Sequence, residues 1–177
     1  VLAETTVFNI TEGETTTIDL DIRQSSSEIS VLGSFDSETI VTKDGKDVSI
    51  LSQTGRGYYV VAVLGVGQEP TNHALHDIEK MKKAFEDWGR PVVLLFESEA
   101  DAHKFNKNEF ANLPSTVIYG IDKDATVRNR IATAMKLQSK TQMPMFIIAD
   151  TFNRVVFVSQ GYTIGLGEQM SNVFNKL

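Results

Sequence analysis

Residues 57–89 have the sequence GYYVVAVLGVGQEPTNHALHDIEKMKKAFEDWG, which predicts a buried strand followed by an amphipathic helix. The part from Tyr58 to Leu64 is almost wholly apolar, as is typical of a strand buried on both faces of a sheet. From Thr71 to Trp88, apolar side chains recur every three or four positions and line one helical face. Gly89 and then Pro91 end that helix. A buried strand joined to a helix is the repeating unit of an α/β protein.

The same alternation of strand and helix continues toward the C-terminus. Further strands are predicted at Val92 to Phe96, Thr116 to Tyr119, Met145 to Ala149 and Val155 to Val158. Further helices are predicted at Glu99 to Phe105, Asp124 to Leu137 and Glu168 to Leu177. Such an order favours parallel strands with crossover helices, closed by an antiparallel pair.

The chain before residue 57 has the period of β-strands. Asp44-Gly45 lies between two alternating runs, Thr39 to Thr42 and Asp47 to Leu51, and predicts a hairpin. Thr15 to Ile22 alternates strictly and follows another short β-like run. Two strands alone are marginal in water, so residues 1–26 are expected to be a β-segment of an upstream domain. Residues 27–177 are expected to form the α/β domain.

The composition excludes several classes of function. The 177 residues include no cysteine, which excludes disulfides, thiolate metal sites and thiol catalysis. There are 23 Asp and Glu against 17 Lys and Arg, and the net charge of −6 argues against nucleic acid as a partner. No apolar run approaches the roughly 20 residues of a membrane span. The chain also starts at Val1, without a signal peptide or an initial Met, so we expect a piece of a longer protein.

Four segments together carry a resemblance to a known family. They are IVTKDGKDVSI at residues 40–50, GYYVVAVL at 57–64, MPMFIIAD at 143–150 and RVVFVSQG at 154–161. Their order resembles the thioredoxin-like fold, in the branch that includes the TlpA, ResA and peroxiredoxin-like proteins. The resemblance spans about 150 of the 177 residues. It implies an α/β three-layer sandwich with a central mixed sheet, preceded here by a short β-hairpin from a β-sandwich-like segment.

The chain departs from this family at the redox motif. The family's Cys-Gly-Pro-Cys falls on Gln68, Glu69, Pro70 and Thr71, so the proline remains and both sulfurs are gone. Disulfide exchange proceeds by thiolate attack, which glutamine and threonine cannot perform. The resemblance also implies a cis peptide bond at Met143-Pro144. These six residues are either a capped helix start and a shaped turn, or a vestigial cleft that still binds a peptide or small ligand.

The first 24 residues support a second resemblance. A β-sandwich tail before a cysteine-free thioredoxin-like domain is similar to the C-terminal part of some Bacteroides-type transglutaminase-like envelope proteins. This resemblance implies an extracytoplasmic bacterial location, with the signal sequence outside this chain. It also implies an upstream domain with a Cys-His-Asp site, for which this chain would be an accessory module.

Other chemistry-bearing patterns are incomplete. Gly65-Val66-Gly67 with Glu97 is a partial dinucleotide motif, but Pro70 stands where the third glycine is needed. His73 and His76 lie on one helix and His103 on another, so no metal-ligand set is evident.

Two acidic stretches are better explained as the N-termini of helices than as a calcium site or a catalytic site. The stretch Asp122 to Thr126 lacks the glycine and glutamate of a calcium loop. Glu97, Glu99 and Asp101 lie beside Lys104 and suit a solvated helix N-terminus better than acid–base catalysis.

The sequence therefore predicts a non-catalytic thioredoxin-like module without cofactor or metal. Its expected partner is an upstream domain of the same polypeptide, or a separate protein or peptide. An accessory role beside a transglutaminase-like peptidase or transferase is the first alternative, and small-ligand binding is the second.

Overall fold

The structure is a computed structural model that describes residues 29–36, 39–137 and 142–177. The predicted β-segment 1–26 lies outside the described residues, and the boundary before residue 27 stays a prediction.

A single mixed sheet of eight strands forms the middle of the described domain. The strands are β1 (Gly33–Ser34), β2 (Ile40–Lys43), β3 (Lys46–Ser49), β4 (Tyr59–Leu64), β5 (Val92–Phe96), β6 (Val117–Ile121), β7 (Met145–Ala149) and β8 (Arg154–Gln160). Their order across the sheet is β1-β8-β7-β4-β5-β6-β2-β3. Strands β4, β5 and β6 are parallel, while β7 is antiparallel to both β4 and β8. The predicted mixed sheet, with parallel strands closed by an antiparallel pair, is confirmed.

Helices cover both faces of this sheet. They are α1 (Ile50–Thr54), α2 (Glu69–Lys80), α3 (Lys82–Trp88), α4 (Glu99–Lys104), α5 (Thr126–Ala134) and α6 (Leu166–Phe174), with a 3₁₀ turn at Lys123–Ala125 before α5. Alternate residues of β4 enter two separate apolar clusters, as the period of a strand requires. Val60, Ala62 and Leu64 pack with α2, α3 and α6. Their neighbours Val61 and Val63 pack with α1 and α5, so the domain has three layers.

The Asp44-Gly45 hairpin forms as predicted, because both residues have the positive φ of 51° and 74° that a tight hairpin turn needs. The strand after it is shorter than the predicted Asp47 to Leu51. Helix α1 begins at Ile50 instead, where Ser49 Oγ accepts a hydrogen bond of 3.3 Å from the Ser52 N–H. The Ile50 side chain is fully buried.

The helix predicted from Thr71 to Trp88 is two helices, α2 and α3, which meet at Met81. Met81 has φ −99° and ψ 15°, outside helical values. Both pieces pack on α6. The Trp88 ring stacks on Phe174 with centroids 3.9 Å apart, and a Cβ on Gly167 would lie 2.6 Å from the Asp77 carbonyl oxygen. The apolar spacing does not reveal this break, because the same spacing continues through it.

Candidate functional site: the cleft at the N-terminus of helix α2

The turn between β4 and α2 is fixed by hydrogen bonds within it. The Gly65 N–H donates to Thr71 Oγ1 at 3.0 Å, and the Gln68 N–H donates to the Gly65 carbonyl at 3.1 Å. Thr71 is only 1% exposed. The Gln68 side chain lies over Gly65, where a Cβ would come within 2.7 Å of Gln68 Oε1. The hydroxyl of Thr71 therefore belongs to the packing of this turn and faces no solvent.

The Met143–Pro144 segment lies at the same end of the sheet. Its peptide bond is cis. Met145, the next residue, pairs with Val63 near the end of β4, so Pro144 reaches the level at which β4 gives way to the turn. The Gly161 N–H donates to the Pro144 carbonyl at 2.9 Å, which connects this segment to the loop after β8.

The loop after β8 completes the site on one side. The Tyr162 ring contacts the His73 ring of α2, with centroids 5.0 Å apart. Tyr162 is 39% exposed and Ile164 is 84% exposed. This aromatic contact between α2 and the loop was missed by the sequence reasoning, because it joins residues that are far apart in the chain and have no shared motif.

The six predicted cleft residues differ in how exposed they are to solvent. Gln68 and Glu69 are exposed, and Pro70 is half-buried. Thr71, Met143 and Pro144 are buried. We refer to these six residues as the cleft.

Among the six cleft residues, the exposed polar side chains are those of Gln68 and Glu69, at the N-terminus of α2. No side chain caps the N-terminus of α2, and Glu69 is in its first turn. A carboxylate there interacts favourably with the partial positive charge of the helix N-terminus.

A pocket of about 140 Å³ opens beside the first turn of α2, and Thr71 is among the residues that line it. It lies between Asn72 and the segment from Lys104 to Phe110. No sequence signal predicts it, because the position of that segment depends on long-range packing of aromatic rings.

The three histidines do not converge. His73 contacts Tyr162, whereas His76 contacts Phe110 with ring centroids 5.0 Å apart. The His76 Nδ1 also lies 3.3 Å from Glu79 Oε1. Among the described residues, no three His, Cys, Asp or Glu side chains come together as metal ligands.

The acidic groups singled out in the sequence serve helix starts. Asp122 is 2% exposed and accepts hydrogen bonds from the N–H groups of Val127 at 2.7 Å and Arg128 at 3.0 Å. Burial raises the pKa of the Asp122 carboxyl above its ordinary value, and the neighbouring Glu97 adds to the rise. Glu97 itself pairs with the Arg128 guanidinium at 2.6 Å.

The start of α4 is also capped. Ser98 Oγ accepts a hydrogen bond of 3.1 Å from the Asp101 N–H. Glu99 and Asp101 lie in the first turn of α4, whereas Glu97 lies before the N-cap and pairs with Arg128.

No protein-family model and no curated protein sequence matches this chain. Solved structures do match it. The C-terminal domain of an uncharacterized protein from Bacteroides fragilis is 16% identical, with a TM-score of 0.57 over 81% of this chain and 96% of that one. A thiol:disulfide interchange protein from Bacteroides sp. is 18% identical, with a TM-score of 0.57 over 82% of this chain and 88% of that one.

A third similar structure is that of the bacterioferritin comigratory protein of Xanthomonas campestris, studied for alkyl peroxide reduction. It is 9% identical, with a TM-score of 0.59 over 82% of this chain and 98% of that one. At such identities the likeness establishes the fold.

The chain is therefore a protein of thioredoxin-like fold. Its full sequence contains no cysteine, so the scaffold is present without the thiols on which disulfide exchange depends. Across the described ranges, no helix is both long enough and apolar enough to span a bilayer.

Proposed function

We propose that this chain is a redox-inactive, non-catalytic thioredoxin-like module that binds an extended peptide segment at the cleft. The segment belongs to a neighbouring domain of the same polypeptide or to a partner protein. The observation that carries the proposal is a thioredoxin-like fold in a chain without cysteine. The resemblance places exposed Gln68 and buried Thr71 at the two positions of the motif cysteines.

The environment of Thr71 supports a structural role for this residue. Its Oγ1 accepts a hydrogen bond from the Gly65 N–H and lies in a residue with 1% exposure. An activated nucleophile needs an adjacent base and access to substrate. The nearest histidine in the chain, His73, has its ring against Tyr162.

Backbone groups at Met143 support peptide binding. Neither the N–H nor the carbonyl of Met143 makes a hydrogen bond to the described residues. Backbone groups at the end of a sheet can pair with an extended peptide, and this gives affinity without side-chain chemistry. Exposed Tyr162 and Ile164 lie on the loop that is bonded to this segment, and they supply apolar contact area.

We further propose that the module is part of a larger bacterial envelope or secreted protein. The similarity to a C-terminal domain from Bacteroides fragilis supports this context. A transglutaminase-like catalytic domain upstream is the arrangement that the resemblance of the first 24 residues favours. The coding sequence upstream of this chain tests it, because a Cys-His-Asp domain must be present there.

Amide chemical-shift mapping tests peptide binding. The probe is the insulin B chain, reduced and alkylated so that it is extended and free of thiols. Shifts are expected to cluster at Gln68, Glu69, Met143 and Tyr162. No shifts, or shifts spread over the whole domain, would contradict the proposal.

A pair of matched variants sharpens the test. Ile164→Asp places a charge on the loop that is hydrogen-bonded to Pro144, whereas Phe152→Asp places one at the opposite end of β8. The two side chains are similarly exposed, at 84% and 74%. We expect Ile164→Asp to weaken binding of the B chain at least fivefold, and Phe152→Asp to leave it unchanged. Equal effects would contradict binding at the cleft.

A further inference from the structure

The pocket beside the first turn of α2 has an apolar interior and a polar rim. Phe105 and Phe110 line it and are buried, at 9% and 5% exposure. Their rings stack with centroids 5.3 Å apart and planes inclined by 8°. The exposed residues around the opening include Lys104, Asn106 and Glu109. Such a surface suits a ligand with an apolar body and a hydrogen-bonding edge.

The size of the pocket limits what can enter it. Its volume is about 140 Å³. A protein cavity of about 150 Å³ binds benzene. The ring of one phenylalanine or tyrosine side chain therefore matches the volume of the pocket.

The charges at the rim favour a neutral ligand. Lys104 and Glu109 carry opposite formal charges, and the rim selects neither an anion nor a cation. The Asn72 side chain makes no hydrogen bond to the described residues. Asn106 Oδ1 accepts a bond of 3.1 Å from the Asn108 N–H, which leaves its amide N–H groups free to donate. Two carboxamides are thus placed to bond the backbone of a peptide or a phenol hydroxyl.

We propose that this pocket binds one phenylalanine or tyrosine side chain of the peptide segment that lies across the N-terminus of α2. The inference rests on the proposed function, since the pocket and the cleft share Thr71, and Gly67 of the pocket precedes Gln68 of the cleft. A ring seated here would fix the register of a peptide whose backbone pairs with the Met143 segment.

The experiment uses the full chain and single-residue probes, so that it does not depend on binding at the cleft. N-acetyl-phenylalaninamide and N-acetyl-tyrosinamide are titrated into the ¹⁵N-labelled protein, with N-acetyl-alaninamide as the control. A ligand of this size has an expected Kd of about 1 mM. Saturable amide shifts are expected at Val66, Gly67, Asn72 and Asn106 with both aromatic probes, and none with the alanine probe.

Variants locate the site. Asn72→Phe places a ring at the pocket lining and is expected to weaken binding of both aromatic probes at least tenfold. Glu168→Phe adds the same exposed ring to the first turn of α6, away from the pocket, and is expected to change nothing. Equal shifts with the alanine probe, no shifts at the pocket, or unchanged affinity in Asn72→Phe would overturn the inference.

The two proposals fail separately. If the alkylated B chain shifts the amides of Gln68 and Tyr162 but the aromatic probes shift none at the pocket, the pocket proposal is refuted and the cleft proposal stands. If the aromatic probes bind as expected but the B chain causes no shifts, peptide binding at the cleft is refuted and the pocket is an isolated aromatic site.

Discussion

Replacing Thr71 with valine isolates the hydroxyl that accepts the Gly65 N–H. The two side chains have nearly the same shape, so the Thr71→Val change leaves a buried backbone N–H without an acceptor and opens little space. A buried donor left unsatisfied costs about 1–3 kcal/mol. For a domain of this size each kcal/mol lowers Tm by about 2–4 °C, so a fall in Tm of about 2–12 °C is expected.

The assay is thermal unfolding followed by fluorescence, combined with hydrogen exchange of the Gly65 amide. Thr71→Ser is the matched control, because it keeps the hydroxyl and removes one methyl group. In Thr71→Val the Gly65 amide should exchange at least tenfold faster relative to its neighbours, whereas in Thr71→Ser it should stay protected. A valine variant as stable as the parent, with Gly65 still protected, would refute the structural role of this hydroxyl.

Three further changes test contacts elsewhere in the domain. Burial raises the pKa of Asp122, so the contribution of this carboxyl to stability is present at low pH and declines as the pH rises through the folded-state pKa. Urea titrations of the parent and of Asp122→Asn give the difference between their free energies of unfolding. This difference, parent minus variant, should be larger at pH 4 than at pH 7. Tyr59→Phe leaves the buried Asn153 Oδ1 without its donor at 2.6 Å and should cost about 1–3 kcal/mol by the same assay. Gly167→Ala pushes a Cβ against the Asp77 carbonyl and should lower stability by about 1–3 kcal/mol in thermal unfolding.

Each of these three predictions has an outcome that would contradict it. A difference that grows with pH would show that the ionised Asp122 is the favoured form in the folded protein. A Tyr59→Phe variant of unchanged stability would mean that water replaces the phenol as donor. A Gly167→Ala variant as stable as the parent would mean that α6 moves away from α2 at little cost.

The parts of the fold predictable from sequence are those fixed by local chemistry or by strong burial. Asp44-Gly45 determines its own turn through positive φ, and the all-apolar run of β4 has no other place than the centre of a sheet. After the break at Met81, Trp88 contacts Phe174 of α6, a residue far from it in sequence. Local spacing contains no information about that contact.

The candidate site also has a part that the sequence predicted and a part that it did not. The resemblance to a known family predicted Gln68 to Thr71 and Met143-Pro144 as one cleft, and the structure places both segments at the same end of the sheet. The contact of His73 with Tyr162 and the pocket lined by Phe105 and Phe110 depend on loop positions, and no periodicity in the sequence encodes them.

Introducing two thiols at the start of α2 tests whether this scaffold supports disulfide exchange once cysteines are present. The double variant Gln68→Cys, Thr71→Cys places thiols at the N-cap and third position of α2. The helix N-terminus lowers the pKa of a thiol there and favours the thiolate. Ser98→Cys, Asp101→Cys is the matched control, because these residues hold the same two positions of α4.

The measurement is reduction of insulin disulfides by dithiothreitol, followed as turbidity. We expect no acceleration by the parent or by the α4 variant, and acceleration of at least tenfold by the α2 variant. Activity in the cysteine-free parent, or a folded α2 variant no faster than the α4 control, would contradict a thioredoxin-like scaffold that lacks only its thiols.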